Sequence, residues 1–527
     1  MHVELDLDSK PTELLTWHVL RGSAGDIVDA SARDAAGAID VQISSEHAEV
    51  DVRLARAPSG HVHLAYDVLA VTSLADPLAV LVKGDRFHGA GERLIALPAA
   101  IEDTTLPITV DIDVAPLEAD RAASSFGIGR RRTADFHPRA LRYAIFAAGS
   151  HDDLVMDTID GHDEASWLGV ASFDLRETVV ELAQERTILA GVLGGRSLLP
   201  DIAWTYIFET TSQRGTDAFE ITPRIHSMFV QLGSTDPMTV PLRMALARPL
   251  ARRWIGDAVR LTPTGHPPDL AWFDDGMAEY LSLRALARTG VISPDDWAGV
   301  LRSELAVLAT SGDAGKSNVE VAARVSNDPD ARTVLMMRGA LFAARESVVI
   351  STRTKGAETM ETVLARLLER ARPKHFGGFE PLTTAIFLEE LSKDDPDAAK
   401  SFDALVLRGK PITLPKGALG VCFRAGTGEY VAFDAGYDVE ATRRDPDHHI
   451  VGLRPDGPAA KAGLAPDDTV EEVVAGQGDP SAPVKVTVTR AGKKVVISYS
   501  PRGRKGKGQT WTRTAPVFPL PQCGLPP

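Results

Sequence analysis

The spacing of apolar residues changes twice along the 527-residue chain, and this change constrains the fold more than any other feature. Residues 1 to about 150 alternate between apolar and polar, as in 108–114, which is typical of half-buried strands. From about 151 to 408, apolar residues recur every three or four positions, which is typical of helices. After 409–411 the alternation returns. Because the chain is too long for one ordinary domain, the pattern predicts a multidomain α+β protein.

The same pattern predicts the domain boundaries. We expect a β-sandwich-like domain over 1–150, a mostly helical domain over 151–408 and a β domain over 414–500. Residues 501–527 are rich in Gly, Pro, Lys and Arg, a composition typical of disordered segments. They are therefore predicted to form a disordered basic tail.

The middle part carries several helix signals. Helices are predicted over 239–254, 359–372 and 380–391, and the apolar residues of 359–372 fall on one helix face. Another helix is predicted to begin at Ser293, because a serine N-cap is followed by Pro294 and two acidic residues beside the positive end of the helix dipole.

Composition excludes several classes of protein. A net charge of −15 argues against a general binder of nucleic acid or anionic membrane, since such a protein needs a basic face. Two cysteines, Cys422 and Cys523, are too few for a disulfide framework or a cysteine-based zinc site. The first residues alternate between apolar and charged, unlike a signal peptide, and no apolar run approaches ~20 residues. We therefore expect no membrane span and a cytoplasmic location, with a removed leader as the alternative.

The most specific motif spans 450–468, Ile-Val-Gly-Leu-Arg-Pro-Asp-Gly-Pro-Ala-Ala-Lys-Ala-Gly-Leu-Ala-Pro-Asp-Asp. Gly463 is suited to end a short helix, and the Pro-Asp pair after it to turn the chain. The motif resembles bacterial PDZ domains, with a generic small β domain as the alternative. The resemblance implies that a loop and strand at 417–421 bind the carboxylate and backbone of a peptide. The implied peptide-binding residues are Ala418, Leu419, Gly420 and Val421.

Upstream, the order of several segments resembles the glycyl aminopeptidase family, which comprises gluzincin-type zinc peptidases with a C-terminal PDZ domain. Residues 272–280, Trp-Phe-Asp-Asp-Gly-Met-Ala-Glu-Tyr, are similar to the family's Trp-x-x-Glu-Gly-x-x-x-Tyr. The other similar segments are 87–91, 94–98, 289–297, 377–379 and 402–409. The resemblance covers nearly the whole chain and implies a thermolysin-like domain over 151–408.

The zinc motif of that family is absent. It consists of His-Glu-x-x-His on a helix and a later Glu as the third ligand, and none of the 14 histidines here precedes a Glu. Aligning the family resemblance on the Trp at 254 places Arg248 and Arg252 at the two histidines and Pro249 at the general base. Asp275 then matches the third ligand, and Met336 matches the transition-state Tyr.

These replacements predict a pseudo-peptidase with no catalytic residue, no zinc and no other cofactor. Arginine is not a usable zinc ligand, and two arginines one turn apart repel a divalent cation. A buried acid needs a partner, so at least one of Arg248 and Arg252 is predicted to form a salt bridge with Asp275. Pro249 is predicted to lie near the start or a kink of its helix.

Other polar residues are given less weight. Glu220 resembles the family's edge-strand Glu beside the substrate, and a surface acid is an equal alternative. His448 and His449 are adjacent and predict a surface loop rather than a metal site. The pairs 152–153 and 163–164 are predicted to lie in solvated turns. Residues 191–195 lack the Gly-Lys-Ser/Thr of a phosphate loop, and no Gly-x-Ser-x-Gly elbow occurs.

The leading hypothesis is a protein that binds peptides or protein C-termini through its PDZ-like domain and its former substrate cleft. One alternative is a zinc-dependent aminopeptidase of the glycyl aminopeptidase family with an unconventional metal site. The other alternative is a structural scaffold that uses neither surface.

Overall fold

The computed structural model describes residues 1–8, 14–20, 26–46, 49–70, 78–150, 152–158, 161–193, 204–211, 219–224, 226–262, 270–372, 380–445, 447–474 and 478–514. The described chain is mixed α/β. No helix within these ranges is both long enough and apolar enough to cross a membrane.

The N-terminal part is built almost entirely of antiparallel strands. The strands are β1 (His2–Leu7), β2 (Thr16–Val19), β3 (Ile27–Asp34), β4 (Gly37–Ile39), β5 (Val41–Glu46), β6 (Glu49–Leu54), β7 (Val62–Val68), β8 (Leu81–Lys83), β9 (Arg86–Ala90), β10 (Leu106–Asp111), β11 (Arg121–Ser124), β12 (Gly127–Ile128), β13 (Arg131–Phe136) and β14 (Ile145–Gly149). The short helices α1 (Gly91–Leu94) and α2 (Arg139–Arg142) and two 3₁₀ turns, Ala99–Ile101 and Ala115–Leu117, lie between them.

These strands form four sheets, with the orders β1-β7-β3-β4, β2-β6-β5, β10-β13 and β12-β11-β14-β9-β8. The alternation of the sequence explains how they pack. In β6, Val50, Val52 and Leu54 are buried while the residues between them are at least partly exposed. Successive side chains of a strand point to opposite faces, so one face joins an apolar core around Trp17 and Tyr66.

The middle part opens with a mixed five-stranded sheet and one helix. Its elements are β15 (Asp152–Thr158), β16 (Gly161–Leu168), α3 (Leu175–Val192), β17 (Trp204–Thr211), β18 (Glu220–Arg224) and β19 (Ser227–Gly233). The sheet order is β15-β16-β17-β19-β18, with β16, β17 and β19 parallel. Strand β18 pairs antiparallel with β19 and forms one edge of the sheet.

A group of helices follows this sheet. They are α4 (Val240–Arg252), α5 (Ala271–Thr289), α6 (Pro294–Thr310), α7 (Asn318–Ala322), α8 (Pro329–Arg353), α9 (Met360–Ala371), α10 (Thr384–Ser392) and α11 (Ala398–Phe402), which continues into a π-helical turn, Asp403–Leu407. Most helix predictions are confirmed. Ser293 caps α6 in a reciprocal capping box with Asp296, and α4 and α9 match their predicted ranges. The helix predicted from 380 begins only at Thr384, which follows the capping residue Thr383.

The C-terminal part is mostly β. It contains β20 (Phe423–Phe433), α12 (Val439–Arg444), α13 (Pro458–Lys461), β21 (Thr469–Val474), β22 (Val484–Arg490), β23 (Lys493–Tyr499) and β24 (Arg502–Arg513). Strands β21, β22 and β23 form an antiparallel sheet with its own small apolar core, which includes Val486 and Ile497.

The prediction of a disordered tail from residue 501 was wrong for 502–513. These residues form β24, which pairs with β20 along nearly its full length. The glycines that suggested disorder allow close packing instead. A Cβ on Gly506 would lie 2.0 Å from the carbonyl oxygen of Ala309 in α6. Residues 515–527, the remainder of the predicted tail, lie outside the described residues.

Residues 414–423, predicted to open the third domain, pack in the main core instead. Leu414, Leu419 and Phe423 join the apolar cluster of the middle part, together with Trp511 of β24. Cys422 is also buried there. The other cysteine of the chain, Cys523, lies outside the described residues. The cytoplasmic location stays a prediction.

Candidate functional site

A cleft of about 700 Å³ opens between the edge of the five-stranded sheet and the helices that follow it. Its size is that of a typical ligand pocket. It is lined by residues of β18, α4, α5 and α8 and of two adjoining segments, namely Phe219, Glu220, Ile221, Pro223, Ala245, Arg248, Pro249, Arg252, Asp275, Ala278, Val325, Arg332, Thr333 and Met336. The cleft therefore contains every residue that the family resemblance assigned to the degenerate zinc site, and Glu220 as well.

The floor of the cleft depends on a very close contact between α5 and α8. A Cβ on Gly276 would lie 2.7 Å from the Cα of Gly339, and a Cβ on Gly339 would lie 1.7 Å from the carbonyl oxygen of Trp272. A side chain at either position would separate the two helices. Because both residues are glycine, Asp275 on α5 comes within hydrogen-bonding distance of Arg332 on α8.

The predicted salt bridge with Asp275 is confirmed. Arg252 Nη1 donates to Asp275 Oδ1, and Arg332 Nε donates to Asp275 Oδ2 at 2.8 Å. The Asp275 side chain is 8% exposed, whereas Arg252 and Arg332 are 38% and 56% exposed. One carboxylate at the base of the cleft is thus shared by guanidinium groups from two different helices.

A second pair, which the sequence analysis missed, lies one helical turn away. Arg248 Nε donates to Glu279 Oε2, and Arg248 Nη2 donates to Glu279 Oε1 at 3.3 Å. The arginines are four residues apart on α4, and the acids are four residues apart on α5, so each helix presents its pair on one face. This equal spacing of the arginines and the acids is the sequence signal that could have identified Glu279. We call the pairs Arg252–Asp275 and Arg248–Glu279 the arginine–acid ladder.

Behind the ladder lies a third acid, Glu304 of α6. It is buried, and neither of its carboxylate oxygens has a hydrogen-bond partner within the described ranges. Burial raises the pKa of Glu304 well above its ordinary value, and Glu279 raises it further, while Arg248 opposes both effects. Glu304 is therefore favoured in its neutral, protonated form.

The remaining site residues occupy distinct positions. Pro249 was predicted near the start or a kink of its helix. It lies inside α4, three residues before its end, so a position near the start is excluded and a kink stays a prediction. Because proline has no backbone N–H, the carbonyl of Ala245 does not accept the usual helical hydrogen bond from residue 249. Both residues line the cleft. Met336 lines the cleft from α8, and Glu220 begins the edge strand β18 as the family resemblance implied.

The donor set of the cleft does not fit zinc. Zinc in proteins is bound by thiolate, imidazole and carboxylate groups. The cleft instead presents Arg248 and Arg252, at the positions where the family resemblance would place imidazoles. The carboxylate of Asp275 is already paired with two guanidinium groups. Within the described ranges, three His, Cys, Asp or Glu side chains converge only at Asp445, Asp447 and His449, which are partly or fully exposed and do not line the cleft.

The residues predicted to bind a peptide carboxylate are placed differently from the expectation. Ala418 and Leu419 are buried in the main core, Gly420 follows them in the same turn region, and Val421 is exposed. No strand forms at 417–421, and β20 begins only at Phe423. The prediction of a strand there was wrong, because these apolar side chains pack against the helices of the middle part.

Two acid pairs predicted to lie in solvated turns have different environments. Asp152 and Asp153 begin β15 and pair with Arg121 near the surface. In contrast, Asp163 and Glu164 are buried in β16, so that prediction was wrong for them. Asp163 forms an ion pair with the buried Arg186, which compensates its loss of hydration.

Two further predictions concern residues outside the cleft lining. His448 and His449 are both exposed and precede β21, as expected for a surface loop. Residues 191–192 end α3, and the glycines at 194 and 195 lie outside the described residues, as do residues 377–379 of the family resemblance.

Similarity to a solved structure bears on the fold. No protein-family model and no curated protein matches the sequence. The structure is similar to that of an aminopeptidase N family protein from Idiomarina loihiensis, with a TM-score of 0.67 and 14% sequence identity over 96% of this chain and 95% of that chain. Legionella pneumophila aminopeptidase A, solved with aspartic acid, has a TM-score of 0.45 and 9% identity over 96% of this chain and 52% of that chain. The chain therefore has a multidomain, peptidase-like fold, which it shares with the Idiomarina protein.

Proposed function

We propose that this chain is a peptide-binding protein that uses a peptidase-like fold without metallopeptidase chemistry. One observation carries the proposal: the arginine–acid ladder occupies the positions at which the family resemblance expects two zinc-binding imidazoles and a third ligand. The ladder ties α4 to α5, which are the two helices that a zinc ion would otherwise hold together. The fold and the cleft are retained, and the groups that would bind and activate a metal are replaced.

The choice of peptides as ligands rests on the shape and edges of the cleft. Strand β18 forms one wall and is the edge strand of the sheet among the described residues, and an edge strand can bind an extended peptide through its backbone. The solved neighbour from Idiomarina loihiensis is described as an aminopeptidase N family protein. A cleft inherited from a protein of that kind would be shaped for a peptide chain.

The alternative is a zinc-dependent aminopeptidase with an unconventional metal site. It would require metal ligands other than Arg248 and Arg252, because a guanidinium group has no lone pair to offer a metal at accessible pH. Among the described residues, Glu220 and Asp275 are the acids that line the cleft, and Asp275 is already paired with two arginines.

Elemental analysis and peptidase assays on the purified full chain test the proposal. We expect no stoichiometric zinc and no cleavage of glycyl or alanyl aminoacyl reporters. Fluorescence anisotropy with labelled, randomised peptides should show saturable binding, in the micromolar range typical of a single added strand. About one zinc per chain, removed by a chelator together with hydrolytic activity, would support the alternative instead.

The C-terminal part is a second candidate site for peptides, supported by the resemblance of 450–468 to PDZ domains. This segment forms α13 and the turn that leads into β21, as such a motif requires. Since Ala418 and Leu419 are buried elsewhere, a peptide would have to use an edge of the β21-β22-β23 sheet. Binding of the same labelled peptides would be measured for the native full chain and for a full chain altered at the outer edge of β21. A loss of binding in the altered chain would assign the peptides to the C-terminal part, and unchanged binding would assign them to the cleft.

A further inference from the structure

The chemistry of the cleft specifies more than a peptide backbone. Two guanidinium groups, those of Arg252 and Arg332, contact the single carboxylate of Asp275. Each of them makes one hydrogen bond to that carboxylate and no other within the described ranges. An arginine carries five N–H donors, so most of the donors on both groups remain available.

These donors are accessible from the cleft. Both side chains are more than a third exposed, and both line the cleft beside Met336 and Thr333. Asp274 acts electrostatically on both arginines and Asp257 acts on Arg252, but neither carboxylate makes a hydrogen bond to these arginines within the described ranges. The base of the cleft is therefore rich in charged donors that suit a planar anion.

The walls favour one class of anion over others. Phe219 and Ile221 from the edge of the sheet and Val325 from the helical side supply apolar surface, and β18 is the edge strand of the sheet among the described residues. A small inorganic anion would use neither feature. A peptide segment would use both, by lying along β18 and directing a carboxylate at the arginines.

We propose that the cleft binds an extended peptide by a carboxylate, which accepts hydrogen bonds from Arg252 and Arg332. The carboxylate is either the C-terminal α-carboxylate or the side chain of Asp or Glu, since these groups have the same chemistry. This inference rests on the proposed peptide-binding function and names the group that is recognised. It reverses the charge preference expected at Arg252, where the family resemblance would place a zinc-binding imidazole.

Competition binding with three randomised hexapeptide mixtures tests the inference on the full chain. The first mixture lacks acidic residues and has a free C-terminus, the second is the same but C-terminally amidated, and the third is amidated with one Glu. We expect the first, the third or both to bind about tenfold more tightly than the second, the gain from one charged hydrogen-bonding pair.

Two matched variants test whether Arg332 causes the preference for peptides that carry a carboxylate. Arg332→Gln should remove the tenfold preference, while Asp275 keeps its bond to Arg252 and the fold is preserved. Arg370→Gln is the control: its side chain is 36% exposed, it also pairs with a buried acid, Glu390, and it lies outside the cleft lining. Glu390 keeps Lys393 as a partner in that variant, just as Asp275 keeps Arg252. The control should retain the preference.

The outcomes separate this inference from the proposed function. Equal binding of all three mixtures, unchanged in Arg332→Gln, would leave peptide binding intact and overturn recognition of the carboxylate. Displacement of the peptides by inorganic phosphate as effectively as by the acidic mixtures would overturn it too, because the site would then be a simple anion site. Binding of none of the mixtures would overturn the proposed function itself.

Discussion

The ladder shows how pairs of arginine and acid side chains can tie two neighbouring helices together. Arg248 and Arg252 project one turn apart from α4, and Asp275 and Glu279 project one turn apart from α5. Each carboxylate that would otherwise be stranded is paired with a guanidinium group, which keeps its charge at any accessible pH. The pairing therefore depends on no metal and varies little with pH near neutrality.

Glu304 is the exception, since nothing pairs with it directly in the described ranges. Its pKa in the folded chain is raised well above the ordinary 4.5, chiefly by burial. Above pH 4.5 the unfolded chain loses this proton while the folded chain keeps it. Stability should therefore fall as pH rises from about 4.5 toward the raised pKa, by up to about 1.4 kcal/mol per pH unit for one proton.

Glu304→Gln removes this titration while retaining the size of the side chain. We expect the free energy of unfolding of the variant to exceed that of the native chain by an amount that increases from pH 5 to pH 8. Urea unfolding at several pH values measures it, with Glu369→Gln, at an exposed acid of α9, as the control. An identical pH dependence in the native and Glu304→Gln chains would show that Glu304 is ionised in the folded state.

At the scale of elements, sequence signals that act locally were reliable. The capping box of α6 and the apolar face of α9 depend only on residues within a few positions of one another. Pro249 shows the limit of such reasoning. Its ring is unfavourable in a helix interior, but α4 contains it because packing of buried residues on both sides outweighs the cost.

Strand β24 is a stronger example, because its composition predicted disorder. Gly506 is needed where β24 crosses α6, because a Cβ there would lie 2.0 Å from the carbonyl oxygen of Ala309. Gly506→Ala should lower the free energy of unfolding by about 1–3 kcal/mol through overpacking against Ala309. Thermal unfolding followed by circular dichroism measures the change.

Gly426→Ala in the paired strand β20 is the matched control. No atom lies within 4 Å of the Cβ that this substitution would add, so the melting temperature should change little. If both variants were equally stable, β24 would not pack on α6 as described.

At the scale of the whole molecule, the boundary of the C-terminal part follows the cores rather than the sequence pattern. Leu414, Leu419 and Phe423 belong to the main core, whereas the residues from Tyr437 to Tyr499 that are buried together form a separate cluster. Replacing Leu419 with Asp would therefore disrupt the main core, and it would not test a peptide groove.

Two fragments test this arrangement. A fragment of residues 433–501 should unfold cooperatively as a monomer, since it contains the complete C-terminal cluster. A fragment of residues 414–500 should self-associate, because it exposes apolar residues that the main core normally covers and leaves β20 without β24. Circular dichroism melting and sedimentation velocity measure both properties. A monomeric 414–500 fragment that is more stable than the shorter one would contradict the arrangement.

The sequence alone determined that helices lie between an N-terminal and a C-terminal β part, the ends of several helices and the absence of His-Glu-x-x-His. The helical pattern assigned from residue 151 was wrong for the five-stranded sheet of β15 to β19, which opens the middle part. It also predicted that Asp275 pairs with an arginine, because a buried charge must be compensated. These properties depend on local periodicity, on capping and on the chemistry of single residue types.

Only the tertiary structure decided which distant residues share a site. The contact of Gly276 with Gly339 brings Arg332 to Asp275, and no local pattern links positions 57 residues apart. The burial of Asp163 and Leu419 and the pairing of β24 with β20 were likewise decided by tertiary packing. Burial is a property of the assembled core, so residues with the same local sequence pattern are exposed in one place and buried in another.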